Sequence, residues 1–193
     1  MAQQVRILAF SGSTRDGSYN TMLVKAASAG ATRLGAQVTV LNLRDLALPM
    51  YDEDLEKREG LPAGVRRFKD ALRAAHGVLI ASPEYNSSIS AALKNAIDWA
   101  SRPENDQPPL SCFNGKVAGL LAASPGALGG LRGLVHLRSI LGNIGVIVLP
   151  QQFALSKSHE AFAPDGSIKD EKTRAAAEGI AEAVASTCAK LAG

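Results

Sequence analysis

Three stretches of this chain concentrate groups able to hold a small anionic or planar ligand. The first is Ser11-Gly12-Ser13-Thr14-Arg15-Asp16-Gly17-Ser18-Tyr19-Asn20-Thr21. It sets hydroxyls, an amide, an arginine and two glycines between an apolar run and a helical pattern. Phosphate requires N–H and O–H donors, a positive partner and a helix N-terminus, and this loop offers all of them. Ser18 or Asn20 can cap the helix or bond a phosphate, but one group cannot fully do both. The same residues also read as a polar loop with an ordinary N-cap. The spacing of Gly12 and Gly17 fits GxxxxG, yet Ser18 stands where a nucleotide-binding lysine would be, which argues against an NTPase.

The second stretch is Ser82-Pro83-Glu84-Tyr85-Asn86-Ser87-Ser88-Ile89. Pro83 ends an apolar run and stiffens its exit. Exposed amides in a rigid turn suit the edge of a flat heterocycle or charge developing on it, and Tyr85 adds a partly apolar face. A β-turn before a helix, with Tyr85 packed locally, reads equally well. The third stretch, Ala123-Ser124-Pro125-Gly126-Ala127-Leu128-Gly129-Gly130, permits close backbone approach by a planar ligand or forms a flexible helix start. Other chemistries lack support. Cys112 and Cys188 are far apart without a CxxC, and His76, His136 and His159 are scattered. No Ser-His-Asp or Cys-His arrangement is convincing, and no metal motif appears.

These loops need elements to position them. Apolar runs at Val5–Phe10, Gln37–Leu43, Gly77–Ser82, Lys116–Ala123 and Ile144–Leu149 read as five strands, the last stopped by Pro150. Helical periodicity covers residues about 18–34, 65–75, 90–101, 128–141 and 169–191, and Ser90 can cap the third of these. Residues about 44–61 read as acidic and irregular, and 102–115 as a proline-containing loop. Near-continuous apolar strands alternating with helices predict an α/β fold, a parallel sheet covered on both faces. With five strands, the flavodoxin-like three-layer sandwich of order 2-1-3-4-5 is the natural choice. Ligands in such sheets bind outside the carboxyl ends of the strands, where all three loops fall. No repeat or linker appears, so residues 1–193 read as one domain.

The chain has 193 residues, 46% hydrophobic and 20% charged, with a formal charge of +3. This is globular composition without a transmembrane run, and the start Met1-Ala2-Gln3-Gln4-Val5-Arg6 does not read as a signal peptide. No basic-aromatic interleaving suggests nucleic acid, and the cysteine usage makes the cytoplasm the default location. Asp52, Glu53, Asp54, Glu56 and Glu59 form an acidic cluster. Between Gln107 and His159 no carboxylate occurs, while Lys116, Arg132, Arg138 and Lys157 do; that stretch either faces an anionic ligand or is simply buried.

Taken together, the three loops resemble the NAD(P)H-dependent FMN reductase family, a flavodoxin-like group that includes quinone, chromate and azo-dye reductases. The matching pieces are Gly12–Asn20 (GSxRxxSxN), Pro83-Glu84-Tyr85-Asn86 (PEYN) and Ser124–Gly130 (SxGxxGG). The resemblance implies that Ser11, Ser13, Arg15, Ser18, Asn20 and Thr21 hold an FMN phosphate. It implies that Pro83, Glu84, Tyr85 and Asn86 line the isoalloxazine and ribityl chain, and that Ser124 and Gly126 close the other side. NADPH or NADH would pass hydride to flavin N5, and a quinone, metal oxyanion, azo compound or free flavin would then accept it. A homodimer or homotetramer is implied, with the helix around Lys94–Trp99 and the loop near Arg102 as contacts, although Trp99 could equally be core. Two alternatives remain: a flavodoxin-type electron carrier without its own NAD(P)H oxidation, and a reductase releasing FMNH2.

Overall fold

The computed structural model describes residues 4–104, 107–108 and 110–192. Residues 1–3, part of the expected proline-containing loop (105, 106 and 109) and residue 193 lie outside the described residues. A five-stranded sheet is built from β1 (Arg6–Ser11), β2 (Gln37–Asn42), β3 (Gly77–Ala81), β6 (Val117–Ala123) and β7 (Ile147–Leu155) in the order β2-β1-β3-β6-β7. Every pairing is parallel, which is the 2-1-3-4-5 order expected from the sequence. The two short strands β4 (Glu84–Tyr85) and β5 (Ser88–Ile89) make a separate antiparallel hairpin.

Alternation along the strands feeds two cores. Ile7, Ala9, Leu79, Ala81, Leu121 and Ala123 face α1 (Tyr19–Arg33) and α7 (Glu171–Ala192). Leu8, Phe10, Val78, Ile80, Ala118, Leu120 and Ala122 face α3 (Ala63–Ala74), α4 (Ala91–Ser101) and α5 (Leu131–Asn143). The central strands β3 and β6 are buried throughout, because helices cover both faces, while edge strand β2 is half-buried only at Val38 and Leu41 and exposed elsewhere. Ser90 caps α4 as expected, its hydroxyl accepting from the Leu93 N–H at 3.1 Å.

Three expectations need correction. Strand β7 does not stop at Pro150 but runs on to Leu155. The register against β6 jumps from Ala118↔Val148 to Leu120↔Gln152, so a bulge takes up the residues around the proline. A proline without an N–H is tolerated there because β7 is an edge strand. The 44–61 region is not irregular: a 3-10 turn (Leu43–Leu46) and α2 (Glu53–Glu59) occupy it. Its acidic residues make helical sense, since Asp52 accepts from the Asp54 and Leu55 N–H groups and further carboxylates lie in the first turn. Thirdly, the carboxylate-free stretch does not gather on one face. Lys116 lies at the amino edge of the sheet bonded to the Ala75 carbonyl, whereas Arg132 opens α5 at the other edge.

Trp99 is core. It is fully buried, and its indole N–H donates to the Pro49 carbonyl at 2.8 Å beside Asn95, which bonds the same carbonyl. Arg102 is paired with Glu56 at 2.8 Å and lies over the Tyr51 ring.

Candidate active site at the carboxyl edge of the sheet

The carboxyl ends of β1, β3 and β6 open onto a cavity of about 390 Å³ lined by all three loops. The first wall comes from the β1–α1 loop: Ser13, Arg15, Ser18, Tyr19 and Asn20. Pro83, Glu84 and Tyr85 form the second, and Ala123, Ser124 and Pro125 the third. The cavity therefore lies where the chain reverses direction across the sheet, between β1 and β3, the position at which open α/β sheets take ligands.

The first loop leads into an open helix N-terminus. Ser18 is the N-cap residue of α1, yet no side-chain cap bond is made there among the described residues. Its carbonyl accepts from the Met22 N–H at 3.0 Å, which leaves its hydroxyl and the first-turn amides of α1 open at the cavity. Those amides carry the positive end of the helix dipole. Ser13 and Ser18 are buried, and the Ser13 hydroxyl accepts from the Arg15 N–H at 3.3 Å. The Arg15 guanidinium is exposed and sits 5.6 Å from the centre of the Tyr19 ring, which stacks in turn on Phe162.

Asn20 is occupied elsewhere. Its side-chain amide donates to the Ala123 carbonyl at 2.9 Å and accepts from the Ala123 N–H at 2.8 Å. It thereby replaces a missing strand neighbour at the end of β6 and ties the first loop to the third. Neither of the two residues able to cap α1 makes a side-chain cap bond among the described residues; Asn20 instead ties the first loop to the end of β6. Ser11 is buried behind the cavity, its hydroxyl accepting from the Ser13 N–H at 3.1 Å. Thr21 is half-buried and does not line the cavity.

The second loop is the β4–β5 hairpin. Asn86 and Ser87 are its two turn residues, both with positive φ (52° and 66°), the geometry of the tight turn that matches strand twist. Asn86 therefore serves the backbone and stays outside the cavity lining. Tyr85 is 56% exposed at the rim. Glu84 stands in the wall, but its carboxylate is bonded to α5: the Arg132 and Gly133 N–H groups donate to Oε2 at 3.0 and 3.2 Å, and Arg132 Nε donates to Oε1 at 2.8 Å. Burial pushes the Glu84 carboxyl up, but the Arg132 and Gly133 hydrogen bonds and the Arg132 charge outweigh it and hold it below the usual range.

In the third loop Ser124 lines the cavity, and its hydroxyl accepts from the Gly126 N–H at 3.2 Å. Gly126 itself is exposed and outside the lining. Gly129 is dictated by its surroundings: φ is +63°, and a Cβ there would lie 2.8–2.9 Å from the backbone of β7 and the residue after it. The structure thus gathers Ser13, Arg15, Ser18, Asn20, Pro83, Glu84, Tyr85 and Ser124, and leaves Ser11, Thr21, Asn86 and Gly126 around them. Tyr19, Ala123 and Pro125 line the cavity without having been singled out. Tyr19 was legible as the one aromatic inside the hydroxyl-rich loop.

Comparison with known proteins decides the family. The family model described as NADPH-dependent FMN reductase matches residues 5–160. The chain belongs to that family. It is an oxidoreductase of flavodoxin-like fold whose family chemistry rests on FMN and a nicotinamide nucleotide. Among relatives, an NAD(P)H-dependent FMN reductase of Pseudomonas aeruginosa is 39% identical over 175 residues, 90% of each chain. A quinone reductase of Escherichia coli is 38% identical over 150 residues, 77% of this chain and 76% of that one. The solved structure of FerB, a flavoenzyme NAD(P)H:(acceptor) oxidoreductase from Paracoccus denitrificans, superposes with a TM-score of 0.81 at 31% identity, covering 96% of this chain and 98% of that one. Within this FMN reductase family member, no described helix is long and apolar enough to cross a membrane. No group of three or more metal-ligating side chains occurs among the described residues.

Proposed function

We propose that residues 1–193 form one FMN-binding domain that oxidises NADPH or NADH and passes the reducing equivalents to quinones or other small acceptors, such as chromate, azo compounds or free flavin. The main support is the open N-terminus of α1 beside Ser13, Ser18 and Arg15, at the switch point of the sheet. An uncapped helix end with free hydroxyls and an arginine fits the FMN phosphate, so the residues present suit the group. Ser13, Ser18, Arg15 and the α1 amides would hold the phosphate. Pro83, Glu84, Tyr85 and Ser124 would flank the ring system, and Ser11, Asn20, Thr21, Asn86 and Gly126 would support those groups. Bound FMN supplies the hydride-accepting and hydride-donating chemistry, so the chain's own work is to bind, orient and leave one face of the slot open.

Several further points belong to the same reading. A homodimer or homotetramer is supported by Leu128, Leu131 and Val135, which are exposed near the third loop and would be covered by a second copy. A cytoplasmic location is supported by two free cysteines, both buried. The electron-carrier alternative would favour a strongly acidic docking surface, and the net charge of +3 speaks against it.

Anaerobic titration with NADH and NADPH in parallel, followed by a panel of quinone, chromate, azo and flavin acceptors, tests the proposal. Bleaching of the flavin by a nicotinamide nucleotide and reoxidation by a quinone are expected. Protein that neither binds FMN nor oxidises NAD(P)H overturns the reading. Light scattering of the same sample reads the oligomeric state.

A further inference from the structure

The N-terminus of α5 is unlike that of α4. Its N-cap is Gly130, which has no side chain to offer, and no cap bond is made by that residue. The cap comes instead from Glu84, on the far wall of the cavity, whose Oε2 accepts from the second and third amides of α5, those of Arg132 and Gly133. Oε1 is taken by the Arg132 side chain, with Nε at 2.8 Å and Nη2 at 2.6 Å. The Glu84 side chain is only 9% exposed while that of Arg132 is 58% exposed, so the carboxylate is held inside the wall and its guanidinium partner stands at the surface.

Two further contacts join the same surfaces. His136, one turn along α5, lies with Nδ1 2.9 Å from the Ser88 hydroxyl on the hairpin. Gly133 allows the close approach: a Cβ there would stand 3.1 Å from the Ser88 carbonyl oxygen and 3.4 Å from the Glu84 Cβ. The hairpin that follows Pro83 and carries Tyr85 is thus bolted to the helix that follows the 124–130 loop.

We propose that Glu84 is a positioning residue. Acting through Arg132 and the opening amides of α5, it clamps the second and third walls of the cavity together and sets the width of the slot between them. This rests on the FMN reading above and changes what Glu84 does within it, since its carboxylate serves the protein rather than the ligand. Pairing with Arg132 also neutralises a carboxylate that would otherwise oppose an anionic ligand held at Arg15.

A double-mutant cycle separates clamp from contact. Glu84→Gln, Arg132→Gln and the double variant are titrated with FMN by flavin fluorescence, and backbone amide exchange is measured on the same FMN-free proteins. Each single variant is expected to raise the FMN Kd about 5–20-fold, with the double variant within about twofold of the worse single one. Arg132→Lys, which keeps the charge, should recover part of the affinity and guards against misfolding of the glutamine variants. Exchange should rise at the amides of 132–133 and of the hairpin in both single variants. A Glu84→Gln loss with Arg132→Gln within twofold of wild type means direct ligand contact and overturns the clamp, as does an additive double variant. If the wild-type protein binds no FMN, the FMN reading falls. Amide exchange then judges the clamp alone: unchanged exchange at 132–133 and the hairpin overturns it, and raised exchange supports it.

Discussion

The two edges of the sheet carry cavities of nearly equal volume, about 390 Å³ at the carboxyl edge and about 380 Å³ at the amino edge. The second is lined by Arg73, His76, Asn114, Lys116, Cys188 and their neighbours. Size does not distinguish them; the state of their polar groups does. At the amino edge those groups are largely committed to the scaffold. His76 Nδ1 accepts from the Arg6 N–H at 3.0 Å, Lys116 Nζ donates to the Ala75 carbonyl at 2.5 Å, and Arg73 is paired with Asp70 and Glu104. Burial drives the Cys188 thiol up to about 11, so it stays protonated at neutral pH. At the carboxyl edge, among the described residues, the N-terminus of α1 lacks a side-chain cap and the Ser18 hydroxyl makes no cap bond. Parallel βα connection is the reason: helix N-termini, with their unpaired amides, collect at the carboxyl edge, and C-termini at the other.

That contrast can be broken experimentally, and the largest effect should come from the scaffold of the carboxyl edge. Gly129→Val puts a branched side chain at φ +63° against the backbone of β7. It should cost about 3 kcal/mol or more of stability, read from the urea midpoint, and lower FMN affinity with it. Arg15→Ala, at an exposed position, should leave folding intact but weaken FMN binding by about 1.5–3 kcal/mol if the guanidinium pairs with the phosphate. Lys116→Met at the amino edge is the matched control. Fluorescence titration should find its FMN affinity within about twofold of wild type, and a large loss there would mean that the two edges are coupled.

Smaller effects sharpen the picture. Ser87→Gly relieves a left-handed serine in the hairpin turn and should raise stability by about 0.5–1 kcal/mol, visible as a higher melting temperature. The two edges should also differ in pH response. Burial, aided by the Arg6 and Lys116 charges, lowers the pKa of His76, so the unfolded chain takes up a proton that the folded chain refuses. Stability from this group is present above the ordinary value of 6.5 and is lost as pH falls from there through the folded value. The depressed Glu84 pKa acts lower, with stability present above 4.5 and lost as pH falls through its folded value. Urea unfolding across pH should show the upper step vanish in His76→Asn and the lower one diminish in Glu84→Gln.

Most of the fold was legible because its strands are short, apolar and separated by helical periodicity. Strand β7 was misread because a proline in an edge strand looks the same in sequence as a proline that ends one. The α2 helix was hidden in a charge-rich stretch with no apolar stripe, since it buries none of its residues fully. The site was legible as a place and as a set of loops, but not as a division of labour. Asn20 and Ser18 are equally plausible caps on paper, and neither caps. Glu84 reads as a ligand residue because it lies in a binding motif, and its partner Arg132 is 48 positions away.

What the sequence determined by itself was the order of the five main strands and five main helices and the presence of a hydroxyl-rich, arginine-bearing loop before α1. Local pattern and turn chemistry suffice for that, because each element is specified by neighbouring residues. The tertiary structure decided which polar groups are already satisfied. Pairings such as Asn20 with Ala123, or Glu84 with the start of α5, join residues that only the sheet order brings together. A donor is free for a ligand only if no distant part of the chain has claimed it, and distance along the chain says nothing about that.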